Sequence, residues 1–169
     1  TNATLTSSNF SLSGLASGES FTVTKTSGSY NTADAATANT VTASLAAGDF
    51  TPGPGTLASN YNLPTSASGP GHINKANAVV VVTPYSVTYD GNSHTAAITS
   101  ITGVNGDTGA TVGTVEVSST THTAAGTYAS DSWSFTGTAN YNDIAATTIT
   151  DTINKRAATW TTNGSSKTY

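Results

Sequence analysis

Asn60-Tyr61-Asn62 followed by Ile73-Asn74-Lys75 returns as Asn140-Tyr141-Asn142 followed by Ile153-Asn154-Lys155, an offset of 80 residues at each position. Tyr89 and Tyr169 keep that offset, and Ala46-Ala47-Gly48 reappears as Ala124-Ala125-Gly126 two residues out of register. A chain that repeats itself over such a span is a tandem array, and arrays build length or valency more readily than a reaction centre. The period predicts two modules of about 80 residues, each with a small core that leans on its neighbours for stability.

Composition narrows the class. Charged residues make up 8% of the 169 residues, against roughly 25% in an ordinary soluble domain. Ser, Thr, Asn and Gly supply the polarity instead, and recurrent Thr, Val and Ile argue for strands over disorder. With five basic and nine acidic residues the net charge is −4, so the chain lacks the basic patch that nucleic acid requires. No polybasic cluster points to an anionic membrane, and the longest aliphatic run, Ala78 to Val82, is far short of a bilayer span. Absence of cysteine excludes disulfides and thiolate metal sites.

Period-two alternation dominates, and no window holds a helical apolar stripe for three turns. Phe21, Val23 and Lys25 alternate with Thr22, Thr24 and Thr26. Val115 and Val117 flank Glu116, Trp133 and Phe135 flank Ser134, and Ile149 and Ile153 share a face opposite Thr148, Thr150 and Thr152. Gly28-Ser29, Asp90-Gly91, Asn105-Gly106, Gly113 and Pro52-Gly53-Pro54-Gly55 read as turns between strands. Gly69-Pro70-Gly71 falls inside the period and reads as a bulge or edge interruption. The resulting expectation is all-β, with modules at 1–77 and 78–156 and a closing segment at 157–169.

Few residues carry the marks of chemistry. His72, His94 and His122 lack the spacing that aims two imidazoles at one metal, and no Asp-x-Asp-x-Asp-Gly loop gathers Asp90, Asp107, Asp143 and Asp151 around calcium. There is no Gly-x-Ser-x-Gly elbow, and two similar modules offer no asymmetric cleft for paired carboxylates. The expectation is no enzyme, no cofactor and no metal site. Lys25, Lys75, Lys155 and Lys167 read as solvated, and the Thr-x-Thr runs as solvent faces of strands.

From Val87 onward the second module runs Thr-Tyr-Asp-Gly-Asn-Ser-His, Ile-Thr-Gly-Val-Asn-Gly-Asp, Ala-Ala-Gly-Thr-Tyr, Gly-Thr-Ala-Asn-Tyr-Asn and Ile-Asn-Lys. This order resembles the tandem immunoglobulin-like repeats, of MBG or YDG type, of large bacterial surface and secreted proteins. The first module resembles them more weakly. Gly14 to Glu19 stands for Gly103 to Asp107, and Ala46 to Phe50 for Ala124 to Tyr128, with no Tyr-Asp-Gly. The resemblance implies two immunoglobulin-like β-sandwiches in a structural spacer, stalk or fibre segment outside the cell, with no catalytic residues to carry over.

In that phase residues 1–3 fall just after the Tyr89-Asp90-Gly91 position, so the first module is expected to lack its opening strand. Ala157 to Tyr169 matches such a strand. The expected interaction residues are therefore Trp160, Thr162, Lys167 and Tyr169, donated to a neighbouring repeat or to another copy end to end. The alternative is an adhesive module that binds glycan, protein or ice through its threonine and aromatic faces.

Overall fold

The computed structural model describes residues 1–169, and the chain is all-β: twelve strands and five single 3₁₀ turns, with no α-helix. It divides into two compact units, Thr1–Lys75 and Ala76–Tyr169. Ala76 goes with the second because its N–H donates to the Asn140 carbonyl at 2.8 Å and its carbonyl accepts from Asn142 N–H at 2.9 Å.

The first unit contains β1 (Asn2–Thr4), β2 (Phe21–Val23), β3 (Ser27–Tyr30), β4 (Thr40–Ser44), β5 (Phe50–Pro52) and β6 (Ser66–Pro70). An antiparallel sheet runs β1-β3-β4-β6, and β2 pairs with β5 separately. Val23, Ala43, Leu45 and Phe50 form the core, so both sheets contribute to it. Pro70 ends β6 on the sheet's edge, where a missing N–H breaks no ladder. Gly28 and Ser29, expected to break a strand, instead lie within β3. A Cβ on Gly28 would come within 2.8 Å of Val41 Cγ1 and 3.0 Å of the Thr42 carbonyl. That glycine serves close approach of β3 to β4, not a turn.

The second unit contains β7 (Val79–Thr83), β8 (Ser86–Thr88), β9 (Ala97–Thr102), β10 (Gly113–Glu116), β11 (Gly126–Gly137) and β12 (Ile144–Asn154). Its sheet runs β10-β11-β12-β8, antiparallel except for the parallel β12–β8 pair, while β7 and β9 form an antiparallel ribbon. Val112, Trp133, Phe135 and Tyr141 form the core, with Val80, Val82 and Ile101 of the ribbon packed on it. Gly113, expected in a turn, opens β10 because a Cβ there would strike the Phe135 ring and the Thr136 carbonyl.

One device occurs in both units. Tyr141 Oη accepts from Val104 N–H at 3.0 Å and donates to Asp107 Oδ2 at 2.7 Å. Tyr61 Oη likewise accepts from Ala16 N–H at 2.9 Å and donates to Glu19 Oε2. Each tyrosine pins a four-residue turn, Val104–Asp107 or Ala16–Glu19, closed by its own backbone hydrogen bond. The carboxylate partner comes first among the causes that raise both phenols above 10. The strand pairs correspond as well: Val23 lies opposite Phe50 as Val115 lies opposite Phe135. Phe50 thus holds the place of Phe135 and not that of Tyr128. The Ala-Ala-Gly likeness does not carry a shared role, since Ala47–Asp49 is a 3₁₀ turn whereas Gly126 begins β11.

The two turns differ in hand. Asn105 (φ 56°) and Gly106 (φ 88°) are both left-handed, whereas in the Ala16–Glu19 turn Gly18 alone is, at φ 84°. Because Asn tolerates the left-handed region and Ala does not, Asn105→Ala is expected to destabilise the second unit by roughly 1 kcal/mol. Urea unfolding followed by the buried Trp133 checks it, and Asn105→Gly should lose nothing.

Candidate assembly site

The units differ most in how their edges are covered. In the second, residues 76–89 cover two edges: β7 pairs with β9, and β8 lies parallel to the end of β12, with Ser86, Val87 and Thr88 opposite Thr152, Ile153 and Asn154. Thr152 N–H donates to the Tyr85 carbonyl at 2.9 Å, and Tyr89 N–H to the Asn154 carbonyl at 2.8 Å. Beneath this cover Ile153 is only 2% exposed.

In the first unit the segments at those positions form no strand, although the His72 carbonyl accepts from Tyr30 Oη at 3.2 Å. His72-Ile73-Asn74, 80 residues before Thr152-Ile153-Asn154, pairs with no strand, and Ile73 is half-buried. Ser11–Ser13, which leads into the Tyr61 turn as β9 leads into the Tyr141 turn, is not a strand either. Beside Ser11 and Gly71 runs a groove of about 530 Å³, lined by Leu5, Phe10, Val41 and Ala67 together with Thr4, Ser8, Asn9 and Ser68, and more polar than apolar. Leu5, Phe10 and Leu12 pack only partly on the core.

Residues 155–169 form no strand and are exposed throughout. Trp160 is 92% exposed, Tyr169 is fully exposed, and Thr162 and Lys167 lie open between them. Lys167 Nζ sits 5.2 Å from the centre of the Tyr169 ring. The segment carries Lys155, Arg156 and Lys167, three of the chain's five basic residues, and none of its nine acids. It is therefore +3 against −7 for residues 1–154.

The side chains weighed for chemistry lie elsewhere. Asp90, Asp107, Asp143 and Asp151 bond locally to Asn92 N–H, Tyr141 Oη, Gly137 N–H and Tyr85 N–H, so they do not gather. No three His, Cys, Asp or Glu side chains converge as metal ligands would. Asp90 is held down to about 2 by the Asn92 backbone and side chain and by His94. Lys25 pairs with Asp49 at 3.9 Å. Trp133, Phe135 and Tyr141 are core, while Tyr128 stacks on His122 at 3.5 Å.

One cluster has no signature in the spacing. His94 and His122 exchange backbone hydrogen bonds at 2.9 and 3.0 Å, and His122 Nε2 lies 2.9 Å from both Asp131 oxygens. Asp151, fully buried near Asp131, accepts Tyr85 N–H through Oδ1 at 2.8 Å and leaves Oδ2 without a partner. Burial first, and the Asp131 carboxylate after it, push Asp151 above the ordinary carboxyl range. These groups lie 9 to 66 residues apart in the chain, and the His94–His122 bridge with the pairing of β8, β11 and β12 brings them together.

No family model matches this chain. Neither a curated protein nor a solved structure matches it. No helix is long and apolar enough to cross a membrane.

Proposed function

We propose that the two units are immunoglobulin-like β-sandwich repeats of a structural segment, a spacer, stalk or fibre, in a bacterial protein that works outside the cell. The observation that supports this most directly is the parallel β8–β12 pair. Once β7 has released from β9, a pull on the chain draws β8 toward its N-terminal end and β12 toward its C-terminal end. Parallel neighbours are then sheared along their length, and their hydrogen bonds must fail together. An antiparallel hairpin pulled from its open end releases them one at a time. The bonds from Thr152 N–H to Tyr85, Tyr89 N–H to Asn154, Asn154 Nδ2 to Val87 and Tyr85 N–H to Asp151 all lie in this shear seam.

The repeated Tyr–turn–carboxylate device and the 80-residue period support tandem copies of one design. Low charge and hydroxyl-rich strands suit a surface that stays wet without binding polyelectrolytes. An adhesive module would gain support from an aromatic platform, but Trp133, Phe135 and Tyr141 are spent on the core.

Single-molecule pulling tests the proposal. Loaded between its two ends, the second unit should unfold at several-fold higher force than when the same unit is loaded between Gly126 and Asn154, which unzips β11 from β12. Equal forces in the two geometries, or yielding at negligible force, would remove the mechanical reading.

A further inference from the structure

The connection from β8 to β9, residues 89–96, is tied to the rest of the second unit through residues 118–122. His94 and His122 exchange two backbone hydrogen bonds. Ala96 N–H donates to Thr120 Oγ1 at 2.9 Å, and the Thr95 and Thr121 hydroxyls lie 2.8 Å apart. Residues 118–122 are held in turn on β11, by Ser119 Oγ to the Ser132 carbonyl and by the His122 ring. That ring stacks on Tyr128 with the planes 2° apart, while Nε2 reaches both oxygens of Asp131. Tyr128 and Asp131 are three residues apart, a spacing that puts side chains on opposite faces of a regular strand. A bulge changes that: β11 advances from Tyr128 to Asp131 while β12 covers only two residues, from Asp151 to Ile149. Bulges re-aim side chains, and this one turns Asp131 to the face of Tyr128 and Asp151.

We infer that His122 is a proton-operated latch, which with Asp131 fastens residues 89–96 to the sheet and releases them as His122 and Asp151 lose their protons. The inference stands apart from the mechanical reading, since it concerns a connection and not the load-bearing seam. Because Nε2 faces a carboxylate, it carries the hydrogen of that bond, and a further proton enters the ring at Nδ1. With that proton on the ring and one on Asp151, the charges of His122, Asp131 and Asp151 are +1, −1 and 0, and they cancel. Without them two carboxylates stand side by side, Asp151 fully buried and Asp131 nearly so. Loss of the ring charge removes the attraction between opposite charges and leaves a hydrogen bond alone, while ionised Asp151 repels Asp131.

The other titratable groups about the ring leave this sense unchanged. Tyr85, from the segment before β8, donates its hydroxyl to the Thr120 carbonyl, and burial first of all pushes its phenol above 10, so it keeps its proton while the cluster titrates. Tyr128 of β11 gives its hydrogen to the Ala124 carbonyl. His94, against the Tyr85 ring, has Nε2 3.0 Å from Asp90. Both members of that pair belong to the connection itself, so it shapes residues 90–94 and adds no tie to the sheet. Burial raises Asp151 more than any neighbouring charge does, the direction that a proton held inside the cluster requires.

Hydrogen exchange on the full chain, corrected for the intrinsic pH dependence of exchange, reads the latch at the amides of His94, Ala96 and His122. Their protection should fall about tenfold from the acid to the alkaline side of the cluster's titration. The β4–β6 ladder of the first unit should stay constant across the same range. His122→Gln keeps a side-chain donor that cannot gain charge and should lose most of the fall, and His122→Gln with Asp151→Asn should lose all of it. His94→Gln should keep the fall; its loss there would place the switch in the Asp90–His94 pair and overturn the inference. Ring-nitrogen NMR of the unmodified chain gives a test that needs no variant: Nε2 of His122 should keep its hydrogen throughout and Nδ1 should gain one on the acid side. Titration at Nε2, flat protection in the unmodified chain, or a fall that persists undiminished in His122→Gln each overturns the latch.

Discussion

Ile153→Ala is expected to lower the unfolding free energy of the second unit by about 2–5 kcal/mol, whereas Ile73→Ala costs the isolated chain only about 1 kcal/mol. The two residues belong to the same Ile-Asn-Lys and differ in what lies over them. Ile153 is 2% exposed beneath β8, and its removal leaves a cavity that the parallel pair cannot collapse into. Ile73 is half-buried at an uncovered edge, where water fills the space that its methyl groups vacate. Hydrogen exchange with mass spectrometry separates the units, and urea unfolding followed at Trp133 reports the second alone. Equal costs would mean that Ile73 is packed as tightly as Ile153, against its half-buried position.

The same pair explains how far the sequence could be read. Alternation at Phe21–Val23, Val115, Trp133–Phe135 and Ile149–Ile153 marked strands correctly, because each has one face on a core and one in water. Glycine misled where its reason was space instead of rotation: Gly28 and Gly113 sit within strands against Val41 and Phe135, and a turn glycine looks the same in one dimension. The Ala-Ala-Gly match misled in a similar way, since likeness in sequence placed Phe50 with Tyr128 while its cross-strand partner, Val23, places it with Phe135. The expectation for Trp160, Thr162, Lys167 and Tyr169 came from the repeat, and they lie exposed in a segment that forms no strand. The groove of the first unit had no sequence signal, because Leu5, Phe10, Val41, Ala43 and Ala67 come from separate segments that only the sheet assembles.

The second large effect concerns Asp151, in the seam that carries the load. Its folded-state pKa is raised, first by burial and then by the Asp131 carboxylate, with the Tyr85 N–H and, less strongly, His122 pulling the other way. A raised pKa means that the native state holds the proton more tightly than the unfolded chain. The stabilisation is complete below the unfolded value near 3.8 and is lost as pH rises through the folded value. Above that point a buried carboxylate has one oxygen on Tyr85 N–H and the other unsatisfied. Asp151→Asn keeps an acceptor for Tyr85 N–H and presents an amide donor on the Asp131 side, as the protonated acid would. It should leave stability unchanged below the unfolded value and raise it by about 1–3 kcal/mol once pH exceeds the folded value, as read by urea unfolding at Trp133. A loss of equal size at every pH would mean that the carboxyl is needed for its shape and not for its proton. Because Tyr85 N–H to Asp151 belongs to the same bonds that resist shear, the rupture force of the second unit should fall as pH rises through the raised folded value of Asp151 and hold steady in Asp151→Asn.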